Sequence, residues 1–114
     1  MINMFNTIFV YGSLRDPDVL NRLLRRVPPM KPARVEGYRT YFDQEAGYPM
    51  AIKEKGSAID GSLMTGIGSR DLSMLDDYEG VRKRLYKRIK VQALPTGSGN
   101  PVEAFMYIKG ENEF

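Results

Sequence analysis

One short stretch determines the order of the first structural elements: Thr7-Ile8-Phe9-Val10-Tyr11-Gly12-Ser13-Leu14-Arg15-Asp16-Pro17-Asp18. Its first five residues are β-branched, aromatic or aliphatic, which predicts a buried central strand. Gly12 ends that strand. Asp16 can cap a helix, Pro17 suits the first helical position, and Asp18 complements the positive end of the helix dipole. The stretch therefore predicts a strand, a glycine turn and a helix in direct succession.

Two helices are predicted. The first carries an apolar stripe and stops before Pro28-Pro29; the stripe comprises Val19, Leu20, Leu23, Leu24 and Val27. The segment 66–71 begins like a dinucleotide-binding fingerprint but lacks the third glycine. It is better interpreted as a loop in which Ser69 caps the second helix, with Gly80 as the residue after that helix ends.

Six strands are predicted, at 7–11, 33–42, 48–52, 58–65, 85–94 and 102–108. Residues 54–57 are expected to form a hairpin-like turn, and Gly61 a bulge. Pro49 confines the start of its strand to an edge or a bulge. This pattern predicts a single α+β domain over residues 1–114. Its small, mixed and mostly antiparallel sheet curls into a barrel, with two flanking helices.

The composition restricts the chemistry. The 114 residues include neither Cys nor His, which excludes disulfides, thiol nucleophiles, Cys/His zinc sites and Ser-His-Asp triads. Proton transfer would fall to Asp, Glu, Lys or Tyr. Asp76-Asp77 points in two directions on a helix and is a poor chelate, so we predict no metal site.

The net charge of +3 is mild. The basic segments 82–84 and 87–88 are interpreted as a solvated face, and neither suggests nucleic-acid binding. The same charge would attract a small anionic substrate. No apolar run has the length of a membrane span, and residues 1–7 do not resemble a signal peptide, so a cytoplasmic location is expected.

The glycine turn is a candidate anion site. After a strand ends, the backbone N–H groups of Gly12, Ser13 and Leu14 lack ladder partners, and the positive end of the next helix lies close by. Such a turn suits a carboxylate or a phosphate. The alternative is a tight turn that only joins the strand to the helix.

Glu79 is the candidate acid–base residue, because it sits at the negative end of its helix, directly before Gly80. The helix dipole there, and burial if it occurs, would both raise the pKa of Glu79. The alternative is an exposed acid at a helix end. Asp76 and Asp77 are weaker candidates that more often cap or brace.

Three tyrosines could share a pocket with Glu79: Tyr11 beside the turn, Tyr86 shortly after Glu79, and Tyr107 in the last strand. Each is equally consistent with a core aromatic whose hydroxyl finds a partner at the edge of the core.

Several motifs resemble the gamma-glutamylcyclotransferase-like family, and they do so in the family's order. Tyr11-Gly12-Ser13-Leu14-Arg15 resembles its Tyr-Gly-Ser/Thr-Leu signature, and Leu75-Asp76-Asp77-Tyr78-Glu79-Gly80 resembles its Leu-Asp-x-x-Glu-Gly segment. Gly47-Tyr48-Pro49 and Tyr86-Lys87-Arg88 look like its Gly-Phe/Tyr-Pro turn and its Tyr-x-Arg, and Tyr107 falls where a late strand tyrosine is usual.

The resemblance implies a small mixed barrel and a reaction that needs no cofactor. In that reaction a gamma-glutamyl α-amine attacks its own side-chain carbonyl and releases 5-oxoproline and an amine or amino acid. Glu79 would carry the proton, Tyr86 would orient Glu79, and the N–H groups of residues 11–14 would hold the α-carboxylate of the substrate. Several members carry longer parts after the position of Tyr107 that shape the leaving-group side, so the resemblance does not specify the leaving group.

Other functions stay open from the sequence alone. A noncatalytic module that binds a small anionic metabolite would use the same pocket, and so would an enzyme for related amide or ester chemistry. The charge alone leaves a small place for a nucleic-acid role. The oligomeric state, monomer or homodimer, is not indicated.

Overall fold

The computed structural model describes residues 5–44, 47–81, 85–97 and 99–110. In this part of the chain five strands close into a barrel: β1 (Asn6–Val10), β2 (Met30–Asp43), β3 (Tyr48–Ile67), β4 (Tyr86–Pro95) and β5 (Val102–Lys109). The order around the barrel is β1-β3-β2-β4-β5. All neighbours are antiparallel except β1 and β5, which pair in parallel and complete the circle.

Two α-helices flank the barrel, α1 (Pro17–Leu24) and α2 (Ser69–Tyr78), and a 3-10 turn (Ser13–Arg15) precedes α1. The predicted α+β fold, a small and mostly antiparallel mixed barrel with two flanking helices, is therefore confirmed. None of the helices in the described ranges is long and apolar enough to cross a membrane.

The hairpin-like turn predicted at residues 54–57 is wrong. The chain does not reverse there, because β3 runs from Tyr48 to Ile67 as one strand and the two predicted strands are one. Opposite it, Glu36 pairs with Ala58 and Tyr38 pairs with Lys53, so residues 54–57 face Gly37 alone. This is an irregular bulge of four residues opposite one, and Gly56 accommodates it with a φ of 90°.

The bulge predicted at Gly61 is also wrong. Gly61 pairs with Ala33 in an unbroken register. A Cβ at Gly61 would lie 2.4 Å from the Val10 carbonyl oxygen and 2.7 Å from the Phe9 ring. Glycine is therefore required here because the backbone and ring of β1 lie against it.

Two apolar clusters result from the alternation of side chains along the strands. All five strands contribute to the barrel interior, which contains Phe9, Ala33, Val35, Ala51, Ile59, Leu63, Val91, Ala93, Ala104 and Met106. The second cluster joins the outer face to the helices and contains Ile8, Val10, Leu14, Leu20, Leu24, Met50, Met64, Ile67, Leu75, Tyr86 and Tyr107. The two helices are therefore held against the barrel wall.

Helix α1 begins as predicted but ends earlier. The Asp16 side chain accepts a hydrogen bond from the Asp18 N–H at 2.9 Å, which caps the helix. The helix ends at Leu24, because Arg25 adopts a left-handed conformation with a φ of 62°. Val27 therefore lies beyond the helix and is 47% exposed, so its predicted place on the apolar stripe is wrong.

Helix α2 is capped differently from the prediction. Gly68, not Ser69, is the N-cap residue, and its N–H donates to the Asp71 carboxylate at 3.2 Å. Ser69 is the first helical residue. The predicted cationic segment 82–84 lies outside the described residues.

Candidate active site

The turn after β1 contains the backbone N–H groups of residues 12–14, which are the candidate anion site. Within it, the N–H groups of Arg15 and Asp16 donate to the carbonyl oxygens of Gly12 and Ser13, each at 3.0 Å. Among the turn, loop and cap hydrogen bonds of the described chain, none is donated by the N–H of Gly12, Ser13 or Leu14. A Cβ at Gly12 would meet no atom within 4 Å, so a ligand has open access to this backbone.

The end of helix α2 fixes the main chain of Glu79. Glu79 is the C-cap residue, and Gly80 follows with a φ of 69°. The N–H of Gly80 donates to the Asp77 oxygen at 3.1 Å, and the N–H of Val81 donates to the Asp76 oxygen at 3.0 Å. These two bonds form a Schellman motif, so the predicted role of Gly80 is confirmed.

One cavity of about 260 Å³ brings the predicted site residues together. Every one of them lines it: Tyr11, Gly12, Ser13, Leu14, Glu79, Tyr86 and Tyr107. Phe9, Val10, Pro49 and Tyr78 complete the wall. The strand end, the glycine turn and the end of helix α2 therefore meet at one place, and an apolar wall surrounds a few polar groups.

Burial governs the acid–base properties of the cavity. It raises the pKa of Glu79 from 4.5 to about 7, because the charged carboxylate loses its hydration. Burial also raises the pKa of Tyr11 and of Tyr107. The Glu79 charge raises the pKa of Tyr11 further, and the hydrogen bond to Asp76 raises that of Tyr107 further. The two phenols therefore stay protonated while Glu79 titrates near neutral pH.

Each of the three tyrosine hydroxyls donates a hydrogen bond to the protein. Tyr11 donates to the Tyr107 carbonyl oxygen at 2.5 Å, and Tyr86 donates to the Pro49 carbonyl oxygen at 2.5 Å. Tyr107 donates to the Asp76 carboxylate at 2.7 Å. The described hydroxyl bond of Tyr86 is directed at Pro49, so orientation of Glu79 by Tyr86 stays a prediction.

Tyr78 is a cavity residue that the sequence did not identify. Its hydroxyl lies 2.9 Å from the Ser13 hydroxyl, so a hydrogen bond joins helix α2 to the glycine turn. The Tyr78 side chain is 44% exposed. Its position next to Glu79 at the end of helix α2 was the available signal.

The described residues contain no group of three or more His, Cys, Asp or Glu side chains that could hold a metal ion. The cavity itself has one carboxylate among its lining residues.

Comparison with known proteins gives the family. Residues 8–113 match the family described as gamma-glutamyl cyclotransferase, AIG2-like. The chain belongs to this family. A gamma-glutamylcyclotransferase and putative RNase of Methanocaldococcus jannaschii is 36% identical over 107 residues, which are 94% of this chain and 47% of that protein. AIG2-like protein D of Arabidopsis thaliana is 34% identical over 95 residues, 83% of this chain and 60% of that protein.

Solved structures of similar proteins have the same fold. A solution structure from Arabidopsis thaliana superimposes with a TM-score of 0.84 at 25% identity, covering 100% of this chain and 79% of that one. A structure described as gamma-glutamyl cyclotransferase has a TM-score of 0.79 at 17% identity, covering 96% and 69%. The chain spans about half the length of the curated relatives that it matches.

Proposed function

We propose that this chain is a cofactor-independent gamma-glutamylcyclotransferase that releases 5-oxoproline from a gamma-glutamyl amine or amino acid. The observation that carries the proposal is the Glu79 carboxyl group, which lines the same cavity as the glycine turn and has a pKa raised by desolvation to about 7. A group that titrates near neutral pH can both accept and return a proton.

In the proposed reaction the N–H groups of Gly12, Ser13 and Leu14 bind the α-carboxylate of the substrate. Glu79 takes a proton from the α-ammonium group, and the amine nitrogen attacks the side-chain carbonyl carbon, whose π electrons move to the oxygen. Glu79 gives that proton to the leaving nitrogen, and the old carbon–nitrogen bond breaks as the carbonyl re-forms. The ring nitrogen loses its second proton through Glu79 to the departing amine, so 5-oxoproline and an ammonium product result. One acid–base residue suffices, because the nucleophile and the electrophile are parts of one molecule and the cavity brings them together.

The test is 5-oxoproline release from a panel of gamma-glutamyl amines and gamma-glutamyl amino acids. We expect Glu79→Gln to lower kcat/KM by at least about 100-fold, the usual contribution of general acid–base catalysis. The matched control is Asp77→Asn, which changes an exposed carboxylate on the same helix and should leave the rate unchanged.

The outcomes separate the possibilities. Full activity of Glu79→Gln would show that Glu79 is not the base. Binding of 5-oxoproline without turnover of any panel member would instead favour a noncatalytic module that recognises a small anion.

A second variant tests the glycine turn. We expect Gly12→Ala to fold, because the added Cβ meets no atom within 4 Å. Some loss of thermal stability should accompany the change, since the Gly12 ψ of −137° lies outside the regions that residues with a Cβ prefer. The methyl group would hinder the approach of a carboxylate to the N–H groups, so KM should rise. An unchanged KM would argue against the turn as the carboxylate site.

A further inference from the structure

Asp76 lies one helical turn before Glu79 and makes contacts that the reaction above does not use. Its Oδ1 accepts the Tyr107 hydroxyl hydrogen bond at 2.7 Å. Its Oδ2 lies 3.6 Å from Arg88 Nη1, and both side chains are 26% exposed. The guanidinium carbon of Arg88 lies 4.6 Å from the centre of the Phe105 ring, which supports its position. Asp76 is therefore held between a cation and a phenol.

These contacts fix the direction of the Tyr107 proton. A phenol has one proton to donate, and its oxygen can also accept. Because a carboxylate paired with an arginine can only accept, the Tyr107 proton points at Asp76 and away from the cavity. Tyr107 lines the cavity, so its oxygen is left as a possible acceptor for a group that binds there.

The other two cavity tyrosines repeat this arrangement. Tyr11 gives its proton to the Tyr107 carbonyl oxygen, and Tyr86 gives its proton to the Pro49 carbonyl oxygen. None of the three hydroxyl protons remains for a ligand. The Tyr11 oxygen already accepts a hydrogen bond from the Ala51 N–H. A group that binds against the Tyr107 oxygen must donate the hydrogen bond itself, as an ammonium or amine does.

We propose that Asp76 is a positioning residue, which holds the Tyr107 hydroxyl so that its oxygen accepts an N–H of the α-amine of the substrate. This inference rests on the proposed function and adds a residue to it. When Glu79 has taken one proton from the ammonium group, an acceptor that holds one of the remaining N–H bonds leaves the nitrogen lone pair free to face the carbonyl carbon. Arg88 lies beside Asp76, and its positive charge balances the negative charge of the Asp76 carboxylate.

The competing explanation is that the Asp76–Tyr107 bond only braces helix α2 against β5. The two explanations differ in one measurable quantity. An acceptor for the amine discriminates between a ligand with an α-amine and the same ligand without it. A brace affects both ligands alike.

The experiment measures that discrimination by titration calorimetry, in the Glu79→Gln chain so that no turnover occurs. The two probes are gamma-glutamyl methylamide and glutaric acid monomethylamide, which lacks the amine. We expect the amine ligand to bind at least about tenfold more tightly, the ratio typical of one hydrogen bond to a charged group. Adding Tyr107→Phe or Asp76→Ala should reduce this ratio to within about threefold of one.

Controls keep the result interpretable. Asp77→Ala, on the same helix but exposed, should retain the full ratio. Asp76→Leu serves as a second variant if Asp76→Ala does not fold, because leucine is of similar size and favours helices.

Suppose that the unsubstituted chain releases 5-oxoproline but the Asp76 variants keep the full ratio of the two affinities. That result would overturn this inference and leave the proposed function intact. Binding of neither probe, together with no 5-oxoproline release by the unsubstituted chain, would overturn both.

Discussion

Two glutamates in different regions of the molecule have pKa values that are shifted in opposite directions. Glu79 lines the cavity at the end of helix α2, and burial raises its pKa to about 7. Glu54 lies in the bulge of β3, where it accepts hydrogen bonds from the Ser57 hydroxyl and from Arg39 Nε, the latter at 2.9 Å. The pKa of Glu54 is lowered, first by the Ser57 hydrogen bond and then by that of Arg39.

The difference shows what makes a carboxylate useful for catalysis. Donors and a nearby cation stabilise the charged form, whereas loss of hydration without such partners destabilises it. Glu54 is therefore a structural acid that stays ionised at neutral pH. Glu79 is the group that can exchange a proton there, at a cost in stability.

The largest expected effect is on stability at alkaline pH. The folded pKa of Glu79, about 7, exceeds its ordinary value of 4.5, so the folded chain binds the proton more tightly. The associated stability is complete below pH 4.5 and is lost as the pH rises through 7. Replacing Glu79 by Gln should therefore raise the free energy of unfolding at pH 8 by up to about 3 kcal/mol.

Urea denaturation of both chains at pH 8 and pH 4 measures this difference. At pH 4 the two chains should be nearly equal, since Glu79 is protonated in both the folded and the unfolded state. A stability difference that is the same at both pH values would contradict the raised pKa of Glu79.

The pH dependence of turnover is the next effect. Because the proposed base must be ionised in the free enzyme, kcat/KM should rise about tenfold per pH unit below 7 and level off above it. At pH 5 it should be roughly 100-fold below the plateau. Initial rates between pH 5 and pH 9 test this, and Asp77→Asn should show the same profile. A flat profile would indicate that Glu79 does not carry the proton.

A smaller effect is expected when the glycine after Glu79 is changed. In Gly80→Ala the residue would keep a φ of 69°, and its Cβ would lie 2.7 Å from Leu85 Cδ1. We expect a loss of about 1–2 kcal/mol from the left-handed conformation. We also expect lower kcat/KM, because the Schellman motif fixes Glu79.

Gly97→Ala is the matched control for Gly80→Ala. Gly97 has a φ of 81° but no atom within 4 Å of an added Cβ. Thermal unfolding and kinetics of both variants separate the backbone cost from the effect on the site. Equal losses of activity in the two variants would contradict the expectation that the end of helix α2 fixes Glu79.

The smallest effect is expected at the other glutamate. Glu54→Gln removes an exposed ion pair, so the unfolding midpoint at pH 7 should fall by about 2 °C or less and kcat/KM should not change. Since the folded pKa of Glu54 is lowered, this difference should disappear as the pH falls through that pKa. Thermal scans at pH 7 and pH 3 measure this difference. A larger fall in the unfolding midpoint at pH 3 than at pH 7 would contradict the lowered pKa of Glu54.

Local patterns in the sequence predicted local structure well. The strand of Thr7 to Tyr11, the Asp16 cap and the Gly80 helix end each depend on neighbours within a few residues. The cavity residues could be nominated for the same reason, since a glycine turn and an acid at a helix end have recognisable chemistry.

Contacts between distant parts of the chain could not be predicted in this way. Glycine and polar residues occur in turns and in bulges alike, so residues 54–57 did not reveal that β3 continues past them. The role of Gly61 depends on the Phe9 ring, and the partner of Asp76 is Tyr107, 31 residues away. Only the closed barrel brings these groups together.

The parallel pairing of β1 with β5 has a consequence for how the chain folds. It joins Ile8 to Phe105, and the Tyr11–Tyr107 hydrogen bond spans 96 residues. During synthesis from the N-terminus, β1 emerges first and must wait for its final neighbour. Such distant pairings carry a large loop-closure entropy and slow folding. The pocket is therefore among the last parts of the molecule to assemble.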